Sequence, residues 1–106
     1  MLLSPFVLAE LDYLVGKFLG TPAALRLLDE VAQGAYRLEP FTASDVQRAR
    51  AVMAKHSPLA IGLADASLVV LSERHGTLDL LSLDERHFRA VRGAAGRRFR
   101  LLPIDG

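Results

Sequence analysis

The sequence contains no cysteine, and this absence removes several classes of protein at once. A chain without cysteine has no disulfide framework and no cysteine-ligated zinc or iron–sulfur site. The absence also suits the reducing cytosol, so we expect a cytoplasmic protein. The apolar opening MLLSPFVLAELDYLV lacks a basic stretch, meets a proline at Pro5 and carries Glu10 and Asp12. We therefore expect neither a signal peptide nor a membrane span.

The chain is short, and its composition is that of a single globular unit. It has 106 residues, of which 51% are hydrophobic and 24% are charged. This is enough apolar material for one core and too little for two, so we expect a single domain over residues 1–106. No internal repeat, low-complexity tract or linker divides the sequence.

Net charge is small overall, at +1, but basic residues are concentrated near the end of the chain. The segment from residue 86 to residue 103 has no acidic residue and contains six arginines: Arg86, Arg89, Arg92, Arg97, Arg98 and Arg100. A guanidinium group presents a planar fork of donors to phosphate oxygens, so this segment is a candidate surface for nucleic acid. A solvated basic face that only keeps the protein soluble fits the same pattern equally well.

Two consecutive start and stop signals predict two helices in the first third of the chain. Serine followed by proline marks the first start and glycine marks its end, which predicts a helix over residues 5–19. The same signal recurs at Thr21-Pro22, and the helix that it opens ends at Gly34. This second helix carries apolar residues at helical spacing: Leu25, Leu28, Val31 and Ala32.

The rest of the chain predicts an alternation of strands and helices. The stretch YRLEPF is typical of a strand or an extended connector. A third helix follows, capped by Thr42 or Ser44 and closed by His56 and Pro58. Its apolar residues share one side: Val46, Ala49, Val52 and Met53.

A fourth, mostly apolar helix is predicted over residues 63–74, and Gly76 breaks it. The run LDLLSL that comes next is typical of a strand buried on both faces of a parallel sheet, and FRLLPI is typical of a last strand. The pattern therefore predicts an α/β fold with a mainly parallel sheet.

Two carboxylates occupy positions where such a fold builds ligand sites. Asp65 stands at the start of the fourth helix, and Asp84 comes directly after the strand LDLLSL. The carboxyl ends of parallel strands and the starts of neighbouring helices converge on one crevice, where carboxylates from distant segments can share a cation. Because Asp65 has apolar neighbours in sequence, we expect it to need a metal or donor partner. Either carboxylate could instead cap its helix.

Three segments follow one another along the chain: SPFVLAELDYLV, LADASLVVLSERHG and LLSLDERHF, of which the last contains Ser82-Leu83-Asp84 before a basic and aromatic stretch. In this order they resemble successive motifs of the PIN domain, particularly as found in the toxin ribonucleases of VapBC toxin–antitoxin pairs. The resemblance runs through nearly the whole chain. It implies a PIN-like three-layer α/β fold, in which helices flank the mainly parallel sheet.

The resemblance also implies an activity, which is metal-dependent cleavage of RNA by an endoribonuclease toxin. In this family a cluster of carboxylates holds Mg²⁺ or Mn²⁺, and the ion activates water for attack on a phosphodiester. By motif position, Glu10, Asp65 and Asp84 are the catalytic and metal-binding acids, and Ser82 has a minor supporting role. Without the motif, Glu10 would be interpreted as an ordinary exposed acid.

Partners follow from the same resemblance. The RNA substrate would be drawn in by basic residues, for which we select Arg86, Arg97 and Arg98. A cognate antitoxin would pack an amphipathic segment against the helices of residues 5–34 and cover the acidic crevice.

One feature of the family has no counterpart here: a hydrophobic strand that ends in aspartate and precedes the SPF motif. The sequence therefore predicts a PIN-like fold truncated at its N-terminus and missing one catalytic aspartate. The chain could be a fragment or have a wrongly assigned start, another polypeptide could supply the missing piece, or two copies could exchange elements in a homodimer. The alternative function is a catalytically inactive remnant that acts as a binding or dimerisation module. A small α/β protein of unrelated function is a more distant possibility.

Overall fold

A computed structural model describes residues 1–82, which form two short strands and four helices. In chain order these are β1 (Leu2–Leu3), α1 (Pro5–Leu19), α2 (Thr21–Ala32), β2 (Arg37–Leu38), α3 (Ala43–Lys55), a 3-10 turn (Ser57–Leu59) and α4 (Leu63–His75). Within the described residues no helix is long and apolar enough to cross a bilayer.

Strand β1 lies between two parallel neighbours. On one side it pairs with β2, with Leu2 opposite Arg37. On the other side Leu2 forms a parallel bridge with Leu80. There the Leu81 N–H donates a 2.8 Å hydrogen bond to the Leu2 carbonyl. The predicted α/β fold with parallel strands is therefore confirmed.

The apolar run LDLLSL joins this arrangement only in part. Leu81 is buried, whereas Leu78 is 89% exposed. The expectation of a strand buried on both faces is therefore wrong at the start of the run, because pairing with β1 begins only at Asp79 and Leu80. The predicted last strand, FRLLPI, lies outside the described residues.

Helix α1 has the predicted bounds because its start and stop signals are local. The hydroxyl of Ser4 accepts the backbone N–H of Phe6 at 3.1 Å and, more weakly, that of Val7 at 3.5 Å. At the other end Gly20 has φ of 94°, a conformation that favours glycine. Ser4 therefore caps α1, and Gly20 ends it.

Helix α2 departs from its prediction at both ends and in its buried side. It begins at Thr21 with Gly20 as the cap, and it ends at Ala32, two residues before Gly34. Three of its four regularly spaced apolar residues are exposed: Leu25 to 56%, Leu28 to 40%, and Ala32. Small residues permit α2 to approach α1 closely, since a Cβ on Gly16 would lie 3.9 Å from that of Ala24. Contact with α1 therefore selects which side of α2 is buried.

Local signals also set the ends of the two later helices. Thr42, rather than Ser44, caps α3 in a reciprocal arrangement: its Oγ1 accepts the Asp45 N–H, and Asp45 Oδ2 accepts the Thr42 N–H at 2.9 Å. His56 ends α3 as predicted. Gly76, with φ of 63°, ends α4.

Helix α4 connects two hydrophobic clusters because it contacts both α1 and α3. Ala64 in its first turn belongs to the main cluster, whose other buried members are Leu3, Val7, Leu11, Val15, Ala23, Ala24, Leu27, Val31 and Leu81. Ala66 and Val70, on another side of α4, pack with Ala49 of α3 in the second cluster. The first turn of α4 is thus held beside α1.

Candidate functional site

The carboxyl ends of β1 and its neighbour lie side by side. Ser4 directly follows β1, and Ser82 directly follows Leu81. Because Leu2 is opposite Leu80, the parallel register brings Ser4 and Ser82 to the same edge. Ser4 is buried and Ser82 is half-buried. This is the edge at which open parallel sheets bind ligands.

Glu10 lies in the second turn of α1, at the margin of the buried side. Its neighbour Leu11 is buried, but Glu10 is exposed. It lines a surface depression of about 440 Å³ together with Ala9, Tyr13 and Leu14. With respect to residues 1–82, its carboxylate takes part in no hydrogen bond or ion pair. Both oxygens are therefore free of competing partners within this part of the chain.

Asp65 lies in the first turn of α4 and is exposed. Its neighbours in sequence, Ala64 and Ala66, are buried, but the helical period turns Asp65 outward. The expectation that Asp65 needs a metal or donor partner because it is surrounded by apolar side chains is therefore wrong. The capping alternative is also wrong, because Gly62 is the cap of α4 and no side chain bonds there. Within residues 1–82 the Asp65 carboxylate also has no bonded partner.

The structure places Glu10 and Asp65 on two helices that touch near their N-terminal ends. The contact includes a 2.6 Å hydrogen bond between Ser4 Oγ and Ser67 Oγ. It also includes Ala64, which packs in the same cluster as Leu11. Each acid is thus next in sequence to a buried member of the main cluster, Glu10 to Leu11 and Asp65 to Ala64. Asp84, Arg86, Arg97 and Arg98, the other predicted site residues, lie outside the described residues.

The donors that are described fit a divalent cation in chemistry but do not complete a site. Mg²⁺ and Mn²⁺ prefer carboxylate oxygens, and Glu10 and Asp65 supply them without a competing cation among the described side chains. No group of three acidic or histidine side chains within residues 1–82 is arranged to hold a metal ion. A cation site built on these two acids would therefore need a third donor from outside residues 1–82.

A cluster of charges around two buried carboxylates, Glu39 and Asp45, was missed by the sequence interpretation. The carboxylate of Glu39, which follows β2, lies 2.8 Å from Arg37 Nε, 3.1 Å from Arg74 Nη2 and 2.8 Å from His75 Nε2. Despite this short distance, His75 Nε2 is not aligned for a hydrogen bond to that oxygen. Burial opposes ionisation of Glu39, but its basic neighbours outweigh this effect and lower its pKa.

The same cluster reaches α3 through Arg74, whose Nη1 lies 2.6 Å from Asp45 Oδ2. The pKa of Asp45 is lowered mainly by the hydrogen bond that its carboxylate accepts from the Thr42 backbone. Burial opposes this effect, and the Thr42 hydroxyl and the Arg74 guanidinium add to it. Arg74 therefore ties the C-terminal turn of α4 to α3 and to the end of β2. The nearest signal in the sequence was the Thr42 capping pattern, and it pointed to none of these distant contacts.

Two comparisons with known proteins place this geometry in context. Residues 1–94 match the PIN domain. The chain is also 43% identical over 103 residues to ribonuclease VapC26 of Mycobacterium tuberculosis, and the alignment covers 97% of this chain and 76% of that protein.

Proposed function

Because the chain belongs to the PIN domain family, we propose that it is an endoribonuclease that acts as the toxin of a toxin–antitoxin pair. The observation that carries this proposal is the 43% identity to ribonuclease VapC26 over nearly the whole chain. The carboxylates of Glu10 and Asp65 support it, because they lie exposed on contacting helices and have no bonded partner within residues 1–82, and a nuclease of this kind needs free oxygen donors.

Each predicted site residue has a role in the proposed reaction. Glu10 and Asp65 hold a divalent cation, Asp84 completes the donor set, and Ser82 supports it from the adjacent strand end. When bound, Mg²⁺ or Mn²⁺ supplies a hard positive charge that stabilises the phosphodiester transition state and makes a bound water more acidic. The basic segment, through Arg86, Arg97 and Arg98, binds RNA phosphates.

The proposed antitoxin binds the exposed apolar side chains of α1 and α2. Tyr13, Phe18, Leu25 and Leu28 are all exposed there. Tyr13 also shares the 440 Å³ depression with Glu10, so an amphipathic segment seated on this surface would cover the acid. A homodimer, with or without exchanged elements, stays a prediction for a sizing measurement. The single domain over residues 1–106 and the cytoplasmic location also stay predictions.

The test is cleavage of a structured RNA in the presence of Mg²⁺ or Mn²⁺. We expect Glu10→Gln and Asp65→Asn to lower the rate by about 100-fold or more, because each removes an anionic cation ligand. The matched control is Asp12→Asn, which removes the same charge from the same helix. Residues two apart on a helix do not face the same way, so this control should retain activity.

The results separate the proposed nuclease from the alternative binding module. Equal loss in all three variants would contradict the assigned roles, since it would report a general effect of charge. No metal-dependent cleavage by the unaltered chain, together with retained binding of an antitoxin, would favour the binding module.

A further inference from the structure

Two buried serines from opposite ends of the described chain meet between α1 and α4. Ser4 Oγ and Ser67 Oγ are 2.6 Å apart, although 63 residues separate them in sequence. Both residues are 0% exposed. A buried hydroxyl is costly unless it is hydrogen-bonded, so this contact needs to be fully satisfied on both sides.

The surrounding atoms determine which hydroxyl donates. Ser67 Oγ lies 2.6 Å from the Ala64 carbonyl, and its single proton goes to that oxygen. Ser4 must therefore donate to Ser67, while its own oxygen accepts the Phe6 backbone N–H. The bonds form a directed chain from the first turn of α1 to the first turn of α4.

This chain of bonds joins the two helices that carry Glu10 and Asp65. Ser4 caps α1 six residues before Glu10, and Ser67 lies two residues after Asp65 on α4. Apolar contacts such as that of Ala64 favour burial but are not directional. A short hydrogen bond has a preferred distance and angle, so it restricts how far the two helices can slide or rotate relative to each other.

We infer that Ser4 and Ser67 are positioning residues whose hydrogen bond holds Glu10 and Asp65 in the geometry that binds a divalent cation. This role depends on the proposed function. Neither serine touches the cation or the RNA; each acts through the placement of a carboxylate on its own helix. A cation site formed by two helices is sensitive to their separation, because the ligand oxygens must lie at bonding distance at the same time.

The test is direct binding of Mn²⁺ alone, measured by electron paramagnetic resonance of the free ion, without RNA. We expect Ser67→Ala to weaken Mn²⁺ binding by about tenfold, the lower end of the effect of residues that support metal ligands. Ser4→Gly is the second variant: glycine is tolerated as a helix cap, and Ser67 keeps its bond to Ala64. Ser4→Gly should weaken Mn²⁺ binding by a similar factor, because it also removes the hydrogen bond between Ser4 and Ser67. It should do so with only a small loss of helix stability.

Two control variants separate positioning from simple loss of stability. Ser72→Ala removes a bond of the same kind on the same helix, since Ser72 Oγ donates to the Val69 carbonyl at 3.0 Å, but this bond does not reach α1. Val31→Ala weakens the main cluster on α2, away from α4. Both should bind Mn²⁺ as the unaltered chain does, at a temperature where circular dichroism shows every variant folded.

The outcomes are distinct. Unchanged Mn²⁺ binding in Ser67→Ala and Ser4→Gly, with clear binding by the unaltered chain, would overturn the positioning role and leave the proposed function standing. Equal weakening in Val31→Ala would also overturn it, since the cause would then be general instability. An unaltered chain that binds no Mn²⁺ would overturn the proposed function and the positioning role together. Where Ser67→Ala does not fold, the Ser4→Gly result decides.

Discussion

Replacing the leucines of α2 one at a time tests whether this helix is oriented as described. Leu27 is 1% exposed, and Leu25, on the same helix, is 56% exposed. Leu27→Ala and Leu25→Ala therefore make the same chemical change at sites that differ mainly in burial. The structure predicts very different losses of stability for these two variants.

The expected loss at Leu27 follows from its full burial in the main cluster. Leucine to alanine removes about three carbon atoms, and at about 0.8 kcal/mol for each the transfer contribution is roughly 2.5 kcal/mol. The unfilled cavity raises the total to about 3 to 4 kcal/mol. At Leu25 water fills the vacated space and alanine favours the helix, so we expect a change of at most about 0.5 kcal/mol.

Urea unfolding followed by circular dichroism measures both values. For a domain of this size a loss of about 3 kcal/mol lowers the melting temperature by at least about 12 °C. The slope of the unfolding curve should stay the same in both variants, which shows that the midpoints are comparable. A Leu25→Ala variant as unstable as Leu27→Ala would mean that α2 presents another side to α1, and the proposed antitoxin surface would be wrong as well.

Three further predictions concern pH, a backbone conformation and metal removal. Glu39 and Asp45 have lowered pKa values in the folded state, so the stability they contribute is present above the ordinary carboxyl pKa and is lost as the pH falls through the folded values. In melting curves recorded over a series of pH values, Glu39→Gln should therefore show a smaller fall in melting temperature at acid pH than the unaltered chain. Gly20→Ala should lower the free energy of unfolding, measured in urea, by about 1 to 2 kcal/mol, because φ at Gly20 is 94°. Gly62→Ala should leave it unchanged or raise it, because Gly62 has a negative φ and open space around it. Millimolar Mn²⁺ should raise the melting temperature of the unaltered chain but not of Asp65→Asn, and a chelator should reverse the rise; equal shifts in both would mean that the ion binds elsewhere.

Much of the secondary structure was predictable because its signals are local. The cap at Ser4 and the stop at Gly20 act within a few residues of themselves, so the bounds of α1 needed no knowledge of the fold. The same is true of Gly76 at the end of α4. The motif pattern likewise identified Glu10 and Asp65 as candidate ligands, because order and spacing along the chain are properties of sequence alone.

Burial and distant contacts could not be predicted in the same way. Four apolar residues at helical spacing describe a stripe on α2, but only the approach of α1 decided that Leu25 is exposed while Leu27 is buried. Asp65 has apolar neighbours in sequence and solvent around it in the structure, because adjacent helical residues point in different directions. The contacts of Arg74 with Glu39 and Asp45 bridge 35 and 29 residues, a range over which no local pattern operates.

The sequence by itself determined the order of the four helices, the bounds of α1, the stop of α4 and the residue types that can ligate a cation, since all of these depend on neighbours along the chain. Tertiary structure alone decided that the helices bearing Glu10 and Asp65 touch, and that Ser4 and Ser67 form the hydrogen bond between them. The physical reason is that packing selects, from many compatible arrangements, one that buries apolar surface and pairs most of the polar groups it buries.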